Sequence, residues 1–162
     1  LDVEYVDLLL MHWPNPDVPL RETLGAFKEL QTTGRIRHIG VSNFSSSLVD
    51  DAKLHATIFS NQVEYHPYQD RSDLLQQAKD IDYMLTAYSP LDRGGVLDDP
   101  VLSEIGERYG KSNAQVALRW ILQQGVAAIP KASDAEHRAS NFDVFDFMLS
   151  DDEMQSIFAL SH

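Results

Sequence analysis

Five short strand-like runs, each cut off by polar residues and each separated from the next by segments of helical spacing, leave this chain few folds to choose from. A strand buried on both faces reads as near-continuous apolar sequence, whereas a helix lying on a sheet repeats its apolar residues at three and four. Tyr5 to Met11 fits the first pattern, broken only by Asp7, and is stopped by His12 and Pro14. Leu20 to Thr32 fits the second through Leu20, Leu24, Phe27 and Leu30, and Gly34 closes it. Ile36 to Val41 is a second strand that ends in Ser42 and Asn43, followed by a helix over Ser45 to Ala56 with Ser45 as its N-cap. Asn61 to Tyr65 alternates as a third strand before His66-Pro67, and a short helix covers Leu74 to Ile81. Tyr83 to Tyr88 runs into Ser89-Pro90-Leu91 and the loop Asp92 to Gly95. Helices over Asp98 to Tyr109 and Asn113 to Gln124 divide at Gly110, and Val126 to Ile129 is the fifth strand, ending at Pro130-Lys131. A helix near Ala135 to Asn141, an aromatic loop and a last helix from Asp151, capped by Ser150, complete the chain.

Strands that alternate with helices argue for an α/β fold whose parallel sheet is built from right-handed crossovers. An open doubly wound sheet and a closed (β/α)8 barrel both satisfy that order. The barrel is favoured because every strand ends in polar groups: His12, Ser42 with Asn43, Gln62 with Glu64, Tyr88 with Ser89, and Lys131. An open sheet would concentrate them at its switch point. A barrel takes eight strands and typically about 250 residues, so a partial (β/α)8 barrel in a single domain, residues 1–162, is expected. Leu1 enters with no cap, initiator Met or preceding turn, which predicts a start inside a larger fold.

Composition narrows the partners. The 162 residues are 43% hydrophobic and 23% charged, ordinary for a globular domain. With 13 basic against 25 acidic side chains the formal charge is -12, which repels nucleic acid and anionic membranes. No cysteine is present, so there is neither a disulfide framework nor a thiolate metal site, and no apolar run approaches the roughly 20 residues that span a bilayer. A cytoplasmic protein is expected. His38, His55 and His137 have no ligand-like spacing, so no metal site is expected, and His66 before Pro67 reads as structural. Asp50-Asp51, Asp98-Asp99 and Asp151-Asp152 read as solvated helix starts rather than an acid/base pair. His12, at the carboxyl end of a buried strand, stands where α/β folds place their chemistry. Blander roles exist for the rest: Ser42-Asn43 as a helix cap, Tyr88 as barrel wall, Lys131 as a surface charge.

Laid out in order, these pieces resemble the aldo-keto reductase family, in particular bacterial members that reduce small carbonyls such as diketogluconate and methylglyoxal. The resemblance runs from end to end. It is carried by Asp7-Leu-Leu-Leu-Met-His-Trp-Pro14, Gly34-Arg-Ile-Arg-His-Ile-Gly-Val-Ser-Asn-Phe44, Asn61-Gln-Val-Glu-Tyr-His-Pro67, Ala87-Tyr-Ser-Pro-Leu91 and Ile129-Pro-Lys131. It implies a (β/α)8 barrel, of which this chain covers strands four to eight, that binds NADP(H) without a Gly-rich turn and transfers hydride to an aldehyde or ketone (EC 1.1.1.-). By the same resemblance His12 orients the substrate carbonyl, Trp13 walls the substrate pocket, and Ser42, Asn43 and Gln62 hold the nicotinamide carboxamide. Tyr88 stacks on the nicotinamide, and Ser89, Pro90 and Leu91 cover the pyrophosphate. Lys131 meets the adenosine 2′-phosphate, with Ser133, Arg138 and Asn141 in the same cofactor segment. His137 stands where many members carry arginine, and Ala132 where serine is usual. The family's catalytic aspartate, tyrosine and lysine belong to the second and third strands, which implies an active parent enzyme and an inactive isolated chain. The other class of reading is a non-catalytic nucleotide-binding or interaction module. Five strands of eight leave two open edges, at the strands beginning with Tyr5 and Val126, so self-association of the isolated chain is expected.

Overall fold

In the computed structural model, which describes residues 2–161, five strands form a parallel sheet in which sheet order follows chain order. They are β1 (Val6–Met11), β2 (Ile36–Ser42), β3 (Ile58–Glu64), β4 (Met84–Tyr88) and β5 (Ala127–Ala128), with β1 and β5 outermost. The helices are α1 (Leu20–Thr32), α2 (Ser46–Lys53), α3 (Ser72–Ile81), α4 (Pro100–Tyr109), α5 (Asn113–Gln123), α6 (Ala135–Phe142) and α7 (Asp151–Phe158). The chain divides into two compact units: one ends at Val63 and takes in Ser72–Leu85, the other comprises Glu64–Arg71 and the chain from Thr86 onward.

In the first unit the register sets Leu10 opposite Gly40 and Ser42 opposite Gln62, with a shift in the β2–β3 ladder between Ile39 and Gly40. Glycine is required there by space. A Cβ on residue 40 would collide with Leu10 Cδ2 and lie 2.9 Å from the Ser60 carbonyl oxygen. Leu24, Ile39, Val41, Phe44, Val49 and Ile58 form the fully buried centre of this unit. Gly34, at φ +74, ends α1 and lets the Arg35 amide turn back to the Leu30 carbonyl at 2.9 Å. The Ser45 hydroxyl caps α2 by accepting from the Leu48 amide, and Lys53 in its last turn donates to the Ile81 carbonyl at the end of α3.

Two sequence expectations are corrected here. Asp50-Asp51 lies in the second half of α2 rather than at its start, and Asp50 accepts from Gln77 of α3. β3 begins three residues before Asn61, because Ile58 and Ser60 are themselves buried and paired to β2. The alternation at Gln62 and Glu64 marks only its second half.

In the second unit Trp120 of α5 is 1% exposed, with its ring 5.1 Å from that of Tyr65 and 5.0 Å from that of Phe158. Leu102, Ile105, Val116, Ile121 and Ile157 bring α4, α5 and α7 onto the same core. Gly106 admits the Lys111 carbonyl against α4, and Gly110, at φ +64, caps that helix. Ser112 with Gln115 and Ser150 with Glu153 form capping boxes that start α5 and α7. β5 is two residues long, shorter than the expected run, and pairs with β4 through Thr86 and Ala87.

Candidate active site

The carboxyl ends of β1, β2 and β3 lie side by side, since Met11 is opposite Val41 and Ser42 opposite Gln62. His12 and Trp13 follow β1 and are exposed, Trp13 at 59%. Ser42 is buried at the end of β2, and its hydroxyl donates to the Gln62 carbonyl at 2.7 Å. Asn43 turns the chain at φ +63, a conformation asparagine tolerates better than most residues. Its backbone amide donates to the Gln62 carbonyl at 2.9 Å, and its side-chain Nδ2 donates to the His12 carbonyl at 3.0 Å and to Ser42 Oγ at 3.2 Å. Ser42 and Asn43 therefore lock three strand ends to one another. The cap of α2 belongs to Ser45, so the capping role conceivable for Ser42-Asn43 is not theirs. The His12 imidazole and the Gln62 amide make no hydrogen bond to other described residues and remain available to a ligand.

Asn61 is a supporting residue that composition and pattern do not reveal. Its side chain is wholly buried and donates to the Phe44 carbonyl at 3.0 Å, which fixes the turn just beyond Asn43. Nothing in a strand of mixed polarity marks one asparagine as inward until the register is known.

In the second unit, Tyr88 ends β4, half-buried, and its carbonyl accepts from the Tyr65 amide at 3.3 Å. Its hydroxyl pKa is pushed up, first by burial and then by the Glu64 carboxylate, against the opposing charges of Arg71 and Arg93. Beyond it the chain folds tightly: Ser89, Asp92 and Arg93 have φ of 48°, 47° and 52°. Side-chain-bearing residues in that region cost about 1–2 kcal/mol each, so the turn from Ser89 to Arg93 is held in a shape that Ser89, Asp92 and Arg93 do not prefer. His66 supplies part of the hold. It is buried, its Nδ1 accepts from the Tyr68 amide at 3.3 Å, and its Nε2 lies 3.7 Å from Asp92 Oδ1. An accepting Nδ1 places the ring's single proton on Nε2, facing Asp92. Burial keeps the imidazole pKa below the ordinary value despite the Asp92 and Glu64 carboxylates.

After β5, a cavity of about 330 Å³ has apolar walls from Leu118, Leu122, Phe142 and Phe145, and Arg138 and Asn141 supply its polar groups. Arg138 also donates to the Ser133 carbonyl at 2.9 Å. His137 is turned to the helix start, where its ring meets the capping Asp134 carboxylate at 2.6 Å. Arg138 rather than His137 thus faces the cavity. Lys131 is exposed and has no hydrogen bond or ion pair among the described residues. A larger cavity, about 640 Å³ beside Tyr5, Leu30 and Arg35, contains none of the candidate residues.

Among the described residues no group of three or more His, Asp and Glu side chains is placed to hold a metal, and no helix is long and apolar enough to cross a membrane.

The chain is 45% identical over 166 residues to glyoxal reductase of Bacillus subtilis (strain 168), covering 99% of this chain and 59% of that protein. The crystal structure of a thermostable aldo-keto reductase in complex with the inhibitor epalrestat superposes with a TM-score of 0.94 at 39% identity, over 98% of this chain and 61% of that one. Gox0644, crystallised as a mutant in complex with NADPH, superposes at 0.90 with 35% identity, over 97% of this chain and 59% of that one. The chain thus spans about three-fifths of the length of the relatives it matches. With the model of the aldo/keto reductase family matching residues 1–162, and with these relatives alike in sequence and in fold, the chain belongs to the aldo/keto reductase family.

Proposed function

We propose that the chain is the portion of an NADPH-dependent aldo-keto reductase that carries strands four to eight of the barrel, and that the complete enzyme reduces aldehydes or ketones to alcohols. The observation that carries this reading is the strand-end network in which Asn43 fastens the His12 backbone and leaves the imidazole free. Such a ring donates a hydrogen bond to a carbonyl oxygen as negative charge grows on it. The exposed Trp13 indole beside it is a wall for the substrate. Gln62 offers an uncommitted amide to the nicotinamide carboxamide, Ser42 and Asn43 set its direction, and Tyr88 offers a ring face.

The apolar cavity with Arg138 and Asn141 fits the adenosine end of the cofactor, and the uncommitted ammonium of Lys131 suits a 2′-phosphate more than a bare ribose. When bound, the reduced nicotinamide supplies the hydride. The proton must come from a general acid. The family resemblance assigns that acid to strands outside this chain, so the chain by itself is expected not to turn over. A cysteine-free, acidic polypeptide suits a cytoplasmic enzyme.

The uncommitted Gln62 amide and Lys131 ammonium suit equally a second reading, a non-catalytic nucleotide-binding module. Titrating NADPH and NADH into the complete protein, followed by carbonyl-dependent NADPH oxidation, separates the two. The reductase reading expects NADPH to bind the tighter, Lys131→Ala to weaken NADPH about tenfold with little change for NADH, and turnover with small aldehydes. Binding without turnover supports the module instead, and equal losses for both cofactors remove Lys131 from the phosphate site.

A further inference from the structure

Lys111, Gln115, Arg119 and Gln123 stand four residues apart, from the turn ahead of α5 to its last residue. Gln115, Arg119 and Gln123 share one face of α5, and Lys111 in the turn ahead of the helix continues the polar ridge they form. All four reach the same target, the segment Asp143 to Leu149 between α6 and α7. Gln115 Nε2 donates to the Asp143 carbonyl at 2.9 Å, and Arg119 to the Val144 carbonyl at 3.3 Å. The Gln123 amide closes a pair with Leu149, accepting from its N–H at 2.7 Å and donating to its carbonyl at 3.0 Å.

Lys111 makes the strongest attachment. Its Nζ lies 2.8 Å from a carboxylate oxygen of Asp143, 2.8 Å from one of Asp146 and 3.2 Å from the Asp143 carbonyl. The Phe147 ring centroid is 5.5 Å away, and only 8% of the lysine side chain is exposed. An ammonium at the carbonyl end of α6 also opposes the negative pole of that helix.

The strap secured in this way is also a wall. Arg138, Asn141 and Phe142 of α6 and Phe145 of the strap line the 330 Å³ cavity across from Leu118 and Leu122, which belong to the same α5 that bears the ridge. We propose that Lys111 is a positioning residue for the adenosine end of NADP(H): by pinning Asp143 and Asp146 it holds α6 and the strap against α5, and so sets the width of the cavity. The inference rests on the cofactor reading above and adds a residue that touches no part of the cofactor.

The test uses the complete enzyme, with NADPH as substrate and 2′,5′-ADP as a probe of the adenosine end alone. Lys111→Met is expected to raise both the KM for NADPH and the Kd of 2′,5′-ADP, read by calorimetric titration without substrate, by about two- to thirty-fold, with kcat at saturating NADPH changed less than about twofold. Lys111→Arg, whose guanidinium still reaches both carboxylates, should restore both constants. Should Lys111→Met not fold, Asp146→Asn decides: its carboxylate is 61% exposed, and the same split at smaller amplitude is expected. Unchanged Kd for 2′,5′-ADP in a folded Lys111→Met, or in Asp146→Asn, overturns the inference while leaving the cofactor reading intact. A wild type that binds neither NADPH nor 2′,5′-ADP overturns the cofactor reading, and the role of Lys111 falls with it.

Discussion

At His12 the backbone is fastened and the ring is free, a division of labour that makes the residue testable apart from the fold. In the complete enzyme His12→Ala is expected to lower kcat by about 10²–10³, the range for loss of one donor to a developing oxyanion. NADPH affinity, read by fluorescence titration, should stay within about twofold. Unchanged turnover would make His12 an ordinary loop residue. His66 predicts a pH effect of definite sign. Its pKa is lowered in the folded chain, so between that value and the ordinary histidine value the unfolded chain binds more protons. The stability contributed by the neutral ring is complete above the ordinary value of about 6.5 and declines as pH falls through the lowered one. Denaturation midpoints of wild type and His66→Gln should converge as the solution is acidified across that window, and parallel curves would show that the imidazole does not titrate on folding. His12 is legible in the sequence because an apolar run ends on it, although the structure buries only Met11 of that run, since β1 is an outer strand, and not both faces as the sequence suggests. Asn61 is not, since its inward direction exists only once β3 is paired.

Elements were readable where the signal is local. The caps Ser45 and Ser150 and the left-handed Gly34 and Gly110 state their helix boundaries within a few residues. What the linear pattern conceals is contact between elements. The start of β3 depends on pairing with β2, and side chains of α5 hold strap backbone 25 to 28 residues further on. Gly40 is a second such contact. Gly40→Ala would press a methyl group onto the Ser60 backbone and onto Leu10, which forces β2 away from a neighbour. Overpacking of this kind costs about 1–3 kcal/mol. Chemical denaturation should show a lower midpoint with an unchanged slope, and an unaltered midpoint would mean that the Leu10 side chain moves aside at no cost.

For the molecule as a whole, β1 and β5 are the outer strands of the sheet, and both present backbone to one side. Unpaired parallel edges recruit other chains. The 162-residue chain is expected to associate in solution despite its charge of -12, with light scattering above monomer mass and no aldehyde-dependent NADPH oxidation. A monodisperse monomer that turns over would defeat both parts. The parallel α/β architecture was legible from the rhythm of strand and helix, since each crossover helix carries its own period. The order of the strands carries one more consequence. Each strand's partner in the sheet is also its neighbour along the chain, so no pairing requires closure of more than one crossover. Such a sheet can be laid down from the amino end as the polypeptide leaves the ribosome, every new strand meeting an edge already formed. Pulled from its carboxyl end, it should come apart in the reverse order, strand by strand, as a peel rather than a shear.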